Sequence, residues 1–395
     1  MNINNDTFQS KIRESGKTKY ESIFCGIWVM VVLYMIMQPT THNSSLIRMI
    51  WIPSTLVLFV ISVSRRMAIG FFFELIVPLS IIFFSFVSQS GALNQEHILA
   101  AFCYINMFFV VYKCKEITPQ KSTFDFIFYC SVFLSLLFAL YSVTPIAHRV
   151  HTHGIVWMSS YYVFDLDNSN IAAMYIFAFY SILLINLGYR KHKALIVLLM
   201  MYDFYMIYGT RCRSVMITMI IITILFFALG RRKIPQFVVV IGVLSPAVFA
   251  LFYMWLYGRI GNQAIMIFDK SLFSGRQNNY LEYLSYLDGW GKVLFGNFSK
   301  AGFQNAHNIV VAVLASSGVV GLLAFLSFYI RMMTGLNKEK NSAIRNICIV
   351  CILGLFIQSS MEASLFLGGF PGIMIITSFA LLSNYTDYDL RLKEE

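Results

Sequence analysis

Apolar runs of about 16 to 22 residues recur along the chain, divided by short polar segments, and a helix needs about 20 apolar residues to cross a bilayer core. The pattern predicts an all-α fold, a polytopic helical membrane protein of about 12 transmembrane helices. They fall at 22–38, 46–64, 69–88, 97–112, 124–143, 170–188, 193–209, 214–229, 236–257, 307–330, 345–361 and 364–383. Residues 1–395 form a single membrane domain with tails at 1–21 and 384–395 and one long connection, 258–306, between spans nine and ten. No small-residue cleavage site follows the basic N-terminal tail, so the first run reads as an uncleaved span rather than a signal peptide.

Composition agrees. Charged residues make up 12% of the chain, against roughly a quarter in a soluble domain. The net charge of +11 would suit nucleic acid, but its distribution argues otherwise: 21 of the 30 cations lie in alternate segments. These include Arg65/Arg66, Arg190/Lys191/Lys193, Arg231/Arg232/Lys233 and both tails. The positive-inside rule puts those segments in the cytoplasm and both termini with them. Nucleic acid drops out as a partner. The seven cysteines are scattered and imply neither a disulfide framework nor a metal. His148, His151 and His153 of an external segment lack a further ligand at metal spacing and read as loop histidines.

Nine cations remain on the external side. Lys270, Lys292 and Lys300 read as solvated loop charges. Arg211 and Arg213 lie in YGTRCRSVMIT, a very short turn between two spans, which implies a polar pocket, an anionic ligand, or snorkelling to lipid phosphates. The segment RQNNYLEYLSYLDGW predicts an amphipathic helix lying on the outer leaflet or capping the bundle, opened by Arg276 behind Ser274 and Gly275. Leu281, Leu284, Leu287, Tyr283 and Trp290 lie on much the same side. Guanidinium groups gathered beneath such a lid suit a lipid-linked phosphate or diphosphate. No nucleotide-binding fingerprint is present, so the energy of a reaction would have to reside in the substrate. The acids within spans are Glu74, Asp125, Asp203 and Glu362, and an intramembrane carboxylate is a functional candidate by default. Asp203 and Glu74 read as structural. In NAHNIVVAVLASSGVVG, His307 opens a span, while Gly318 and Gly321 would admit a neighbouring backbone. The histidine is either a cap or a base that takes a proton from a sugar hydroxyl.

The spacing of His307, Gly318 and Gly321 resembles the H-x10-G-x2-G pattern of bacterial O-antigen ligases and O-antigen polymerases. YGTRCRSVMIT resembles that family's T/S-R segment, SGRQNNYLEYL its G-R segment, and DNSNIAAMY, with Asn170, a further element. The resemblance spans roughly residues 165–335. It implies a metal-independent, cofactor-free, inverting glycosyltransferase of the GT-C type in the bacterial inner membrane, its site facing the periplasm. The donor glycan would be carried on undecaprenyl diphosphate, with a chain-length regulator and a flippase as further partners. By carry-over Arg211 and Arg276 hold the diphosphate and His307 activates the acceptor. Arg213, Arg259, Asn170, Asn308 and Tyr280 are expected to contact substrate. The modest 258–306 loop favours a polymerase over a ligase that transfers to lipid A-core. A lipid-linked oligosaccharide flippase is the rival from another class, against which stands the lack of an internal repeat.

Overall fold

A computed structural model describes residues 121–145, 162–164, 169–188, 193–229, 232–261, 266–267, 270–271, 273, 275–301, 306–338, 342–362, 375–376, 379–380 and 382–383. The first four expected spans, with Glu74, both tails and the histidine-bearing segment lie outside them.

The described part is helical apart from a two-residue antiparallel pair, β1 (Met266–Ile267) with β2 (Lys270–Ser271). The long helices are α1 (Lys121–Ser142), α2 (Ser169–Leu187), α3 (Lys193–Thr210), α4 (Arg213–Leu229), α5 (Gln236–Ile260), α9 (Ile309–Lys338) and α10 (Ala343–Ser359). Three short ones, α6 (Arg276–Ser285), α7 (Trp290–Phe295) and α8 (Phe298–Ala301), lie in the long connection. Among the described residues, five helices are long and apolar enough to cross a membrane, namely α1, α2, α3, α5 and α9; α4 and α10 are shorter apolar helices.

Helices α2 and α10 form the centre, buried along nearly their whole length. α2 packs on α1, α3 and α4, while α10 packs on α4, α5 and α9. Gly354 permits the close approach of α10 to α4, since a β-carbon there would stand 2.7 Å from the Ile222 side chain. The outer helices expose apolar stripes at helical spacing: Ile217, Ile220 and Ile224 on α4, and Val248, Leu251, Phe252 and Trp255 on α5. Hydroxyls within the spans are satisfied locally, as when Thr218 and Ser131 donate to the carbonyls four residues back. Asp203 is fully buried and accepts a hydrogen bond from Ser135 at 3.3 Å. It binds α3 to α1, as a structural carboxyl would.

At one end of the bundle Asn337 donates to the Ile234 carbonyl and to Gln236 Oε1, and Asn346 donates to the Arg232 carbonyl. These bonds reveal the course of α9. Asn308 and Asn337 are 29 residues apart, yet their partners on α5, Pro246 and Gln236, are separated by only 10. A straight α9 would put its two asparagines about 43 Å apart, against about 15 Å for the two positions on α5. The helix therefore bends sharply, and it does so at Gly318, whose φ of 67° and ψ of −169° are non-helical. The continuous span expected over 307–330 is in fact two arms. Only glycine readily takes that backbone, and here a β-carbon would also overlap the carbonyl of Leu294.

α6 departs from expectation in one respect, since Tyr283 does not share the side of Leu281 and Leu284. Gln277, Tyr280 and Tyr283 are buried, whereas Leu281 and Leu284 point outward. Trp290 is not part of this helix but opens α7. The tyrosines can bury an aromatic ring and still find a partner for the hydroxyl.

Candidate active site

Five polypeptide segments converge at the end of the bundle opposite the Asn337 and Asn346 contacts. They are the start of α2, the turn between α3 and α4, the start of α6, the start of α9 and the residues after α10. Each enters with a polar side chain.

Glu362 is the hub. Its side chain is 5% exposed, and Asn170 donates to its Oε1 at 2.7 Å. Arg276 approaches the same oxygen at 3.4 Å. The Nδ1 of His307 lies 3.2 Å from Oε2. An ionised carboxylate only accepts hydrogen bonds, so Nδ1 carries a proton there, and in the neutral ring that leaves the lone pair on Nε2. The His307 side chain is 28% exposed, which leaves Nε2 reachable.

His307 is held from behind. Its φ is +55°, a left-handed conformation unusual for a residue with a β-carbon. Tyr280 donates to its carbonyl at 3.2 Å. Burial pushes the Tyr280 phenol up, keeping it a hydrogen-bond donor. Asn308 caps α9: its Oδ1 accepts from the amides of Val310 and Val311, and its Nδ2 donates to the carbonyls of Pro246 and Ser360. Two donors and two acceptor positions exhaust what one amide offers. Asn308 is fully buried, so it fastens α9, α5 and the segment leading to Glu362 together. Asn308, expected among the substrate contacts, has its side-chain amide engaged in this clamp. Tyr280 likewise supports the site from a buried position, and Asn170 meets Glu362.

The turn between α3 and α4 borders this cluster. Arg211 adopts φ +55° and closes α3 through its amide on the Tyr208 carbonyl. The Arg211 guanidinium lies 5.2 Å from the Tyr208 ring, and its Nε is buried without an acceptor among the described residues. No hydrogen bond or ion pair ties Arg211 to Glu362 among those residues. The neighbouring Cys212, however, is within electrostatic reach of both Glu362 and Arg276. Burial pushes the Cys212 thiol up, which leaves it protonated and a poor nucleophile. Arg213 and Arg276 both act on Tyr253 of α5. Arg276 Nε is, like that of Arg211, buried without an acceptor among the described residues.

Arg259 stands apart. It lies 13 residues beyond Pro246 on α5, about 20 Å of helix, where it is exposed and packs 5.9 Å from the Trp255 ring. The glycine pair also divides. Gly318 receives the Leu294–Gly296 backbone of the connection rather than a neighbouring span, and the space beside Gly321 is filled by Ser317 of its own helix.

Sequence reasoning named Glu362 a functional candidate by default but assigned it no particular part. The available signal was a carboxylate at the outer end of an apolar run, a position that demands a partner. Among the described residues, no group of three or more His, Cys, Asp or Glu side chains could hold a metal. No protein-family model, no curated protein and no solved structure matches the chain.

Proposed function

We propose that the chain is a membrane-embedded glycosyltransferase that extends a glycan carried on a polyprenyl diphosphate, in the manner of an O-antigen or other surface-polysaccharide polymerase. The observation that carries this reading is the meeting of Arg276 and His307 at Glu362, with Asn170 completing the carboxylate's shell.

Such a constellation can do acid–base work at one atom and stabilise anionic charge beside it. Nε2 of His307 takes the proton from an acceptor sugar hydroxyl, and that oxygen attacks the anomeric carbon of the donor. The bond from that carbon to the diphosphate oxygen breaks, and its electron pair leaves with the diphosphate. Arg276, with Arg211 and Arg213 from the adjoining turn, stabilises the departing charge. Glu362 orients the imidazole and offsets its positive charge once the proton has arrived. The buried Nε groups of Arg211 and Arg276 are donors that phosphate oxygens would satisfy. The full complement of 12 spans, a GT-C-like architecture, cytoplasmic termini and a periplasm-facing site in the inner membrane belong to this proposal.

The test is incubation of the purified protein with polyprenyl-diphosphate-linked repeat units, with and without lipid A-core, in EDTA. A ladder of products from repeat units alone is the expected result. Products only when lipid A-core is added would make the protein a ligase. No product, together with passage of the lipid-linked oligosaccharide across a vesicle bilayer, would make it a transporter.

A further inference from the structure

Helix α7 reads WGKVLF, yet none of its side chains is buried in the protein. Trp290 is 84% exposed, Phe295 53% and Leu294 43%, and Leu281 and Leu284 of the preceding helix α6 are exposed as well. A six-residue helix has little stability of its own. Contiguous exposed apolar side chains mark contact with a partner or a membrane.

The level of α7 along the bundle decides between them. Its C-terminal end is fastened to the backbone of α9 at the bend. Asn297 donates from its amide to the Ala315 carbonyl at 2.8 Å, and Gly296 and Gly318 allow the two backbones to touch. Gly318 is 19 residues from Asn337 along the second arm of α9, about 28 Å, which falls within the roughly 30 Å thickness of a hydrocarbon core. On α5, Trp255 is also 19 residues from Gln236. Trp255 therefore stands level with the bend on which α7 ends, and Trp290, six residues before Gly296, is within about 9 Å of it, near where the hydrocarbon meets the headgroups and where tryptophan is enriched. Lys292 and Lys300, both exposed, are placed to reach phosphates from there by snorkelling.

We infer that α6 and α7 form a platform immersed in the phospholipid leaflet at the candidate site's end of the bundle. Trp290, Leu294, Phe295, Leu281 and Leu284 contact acyl chains, and Lys292 reaches lipid phosphates. The same helix α6 carries Arg276 to Glu362 from its first residue, so the platform and the site share one element. The inference is independent of the sugar-transfer reaction, because it rests on packing and level alone.

The experiment uses the full-length protein in phosphatidylcholine–phosphatidylglycerol vesicles whose acyl chains are brominated near the headgroup. The Trp290 contribution is the fluorescence difference between wild type and Trp290→Phe. Brominated lipid should remove about half of it or more, with aqueous iodide leaving it nearly unchanged. In the Trp290→Phe background, Leu284→Trp should restore a lipid-quenched component, which provides a second reporter on the same surface. Quenching by iodide but not by brominated lipid would put α7 in water and overturn the inference. Quenching by neither would place another protein over it and overturn it equally.

Discussion

Glu362 receives Asn170, Arg276 and His307 from positions 192, 86 and 55 residues away in the chain. A carboxylate at 5% exposure is tolerable only with such company, because desolvating an unpaired charge costs several kcal/mol. Glu362→Gln keeps the shape, removes the charge, and leaves a guanidinium and an imidazole without their counter-ion. If Nε2 of His307 is the base, the variant should lose turnover by about 10²–10⁴-fold. Its level in the membrane should be unchanged and its donor KM only modestly altered. Glycan elongation by purified enzyme measures this directly, and wild-type turnover in the variant would reduce Glu362 to a structural counter-ion. Backbone strain points to the same place. Arg211 and His307 are two of the three described non-glycine residues with positive φ, and strain of about 1–3 kcal/mol per residue persists where surrounding structure enforces it, often at functional sites.

The described helices follow the apolar runs closely, because hydropathy averaged over a whole span tolerates errors at single positions. The bend of α9 was not legible in this way. Gly318 sits in an apolar run, and such a glycine signals close packing and a broken backbone equally well. The parting of Tyr283 from Leu281 and Leu284 was hidden for a different reason: apolar spacing groups tyrosine with leucine, whereas next to lipid the leucines can turn outward while the tyrosines pack within. The role of Asn308 depends on carbonyls 62 and 52 residues away, which no local pattern reveals. Gly318→Ala tests the bend as an element. The left-handed φ and the overlap with the Leu294 carbonyl both oppose a β-carbon, so a loss of about 2 kcal/mol or more is expected. Gly258→Ala, where a β-carbon would meet nothing within 4 Å, is the control and should be neutral or slightly stabilising. Thermal unfolding of the two variants in one detergent would show a lower midpoint for Gly318→Ala alone.

On the scale of the whole molecule the two ends of the bundle differ in kind. One end gathers Arg232, Asn337 and Asn346 with the cation-rich segments around them, while the other holds Glu362, His307 and the α6–α7 platform. Pro246, to which Asn308 is bonded, lies nine residues before Trp255, about 13 Å along α5. The proposed reaction centre is accordingly recessed below the level of Trp255 and of the bend at Gly318, a depth suited to a diphosphate whose polyprenyl tail never leaves the bilayer. By the positive-inside rule, the distribution of lysine and arginine predicts that the cation-rich end faces the cytoplasm. Orientation can be read with a membrane-impermeant maleimide on sealed cells. Asp288→Cys, at an exposed position between α6 and α7, should label without permeabilisation, and Lys338→Cys, exposed at the end of α9, only after it. Wild-type protein supplies the background from its own cysteines, of which Cys212, Cys348 and Cys351 are buried. The reverse pattern would turn the site toward the cytoplasm, where a periplasmic polymerase could not act, while leaving the bundle's internal geometry intact.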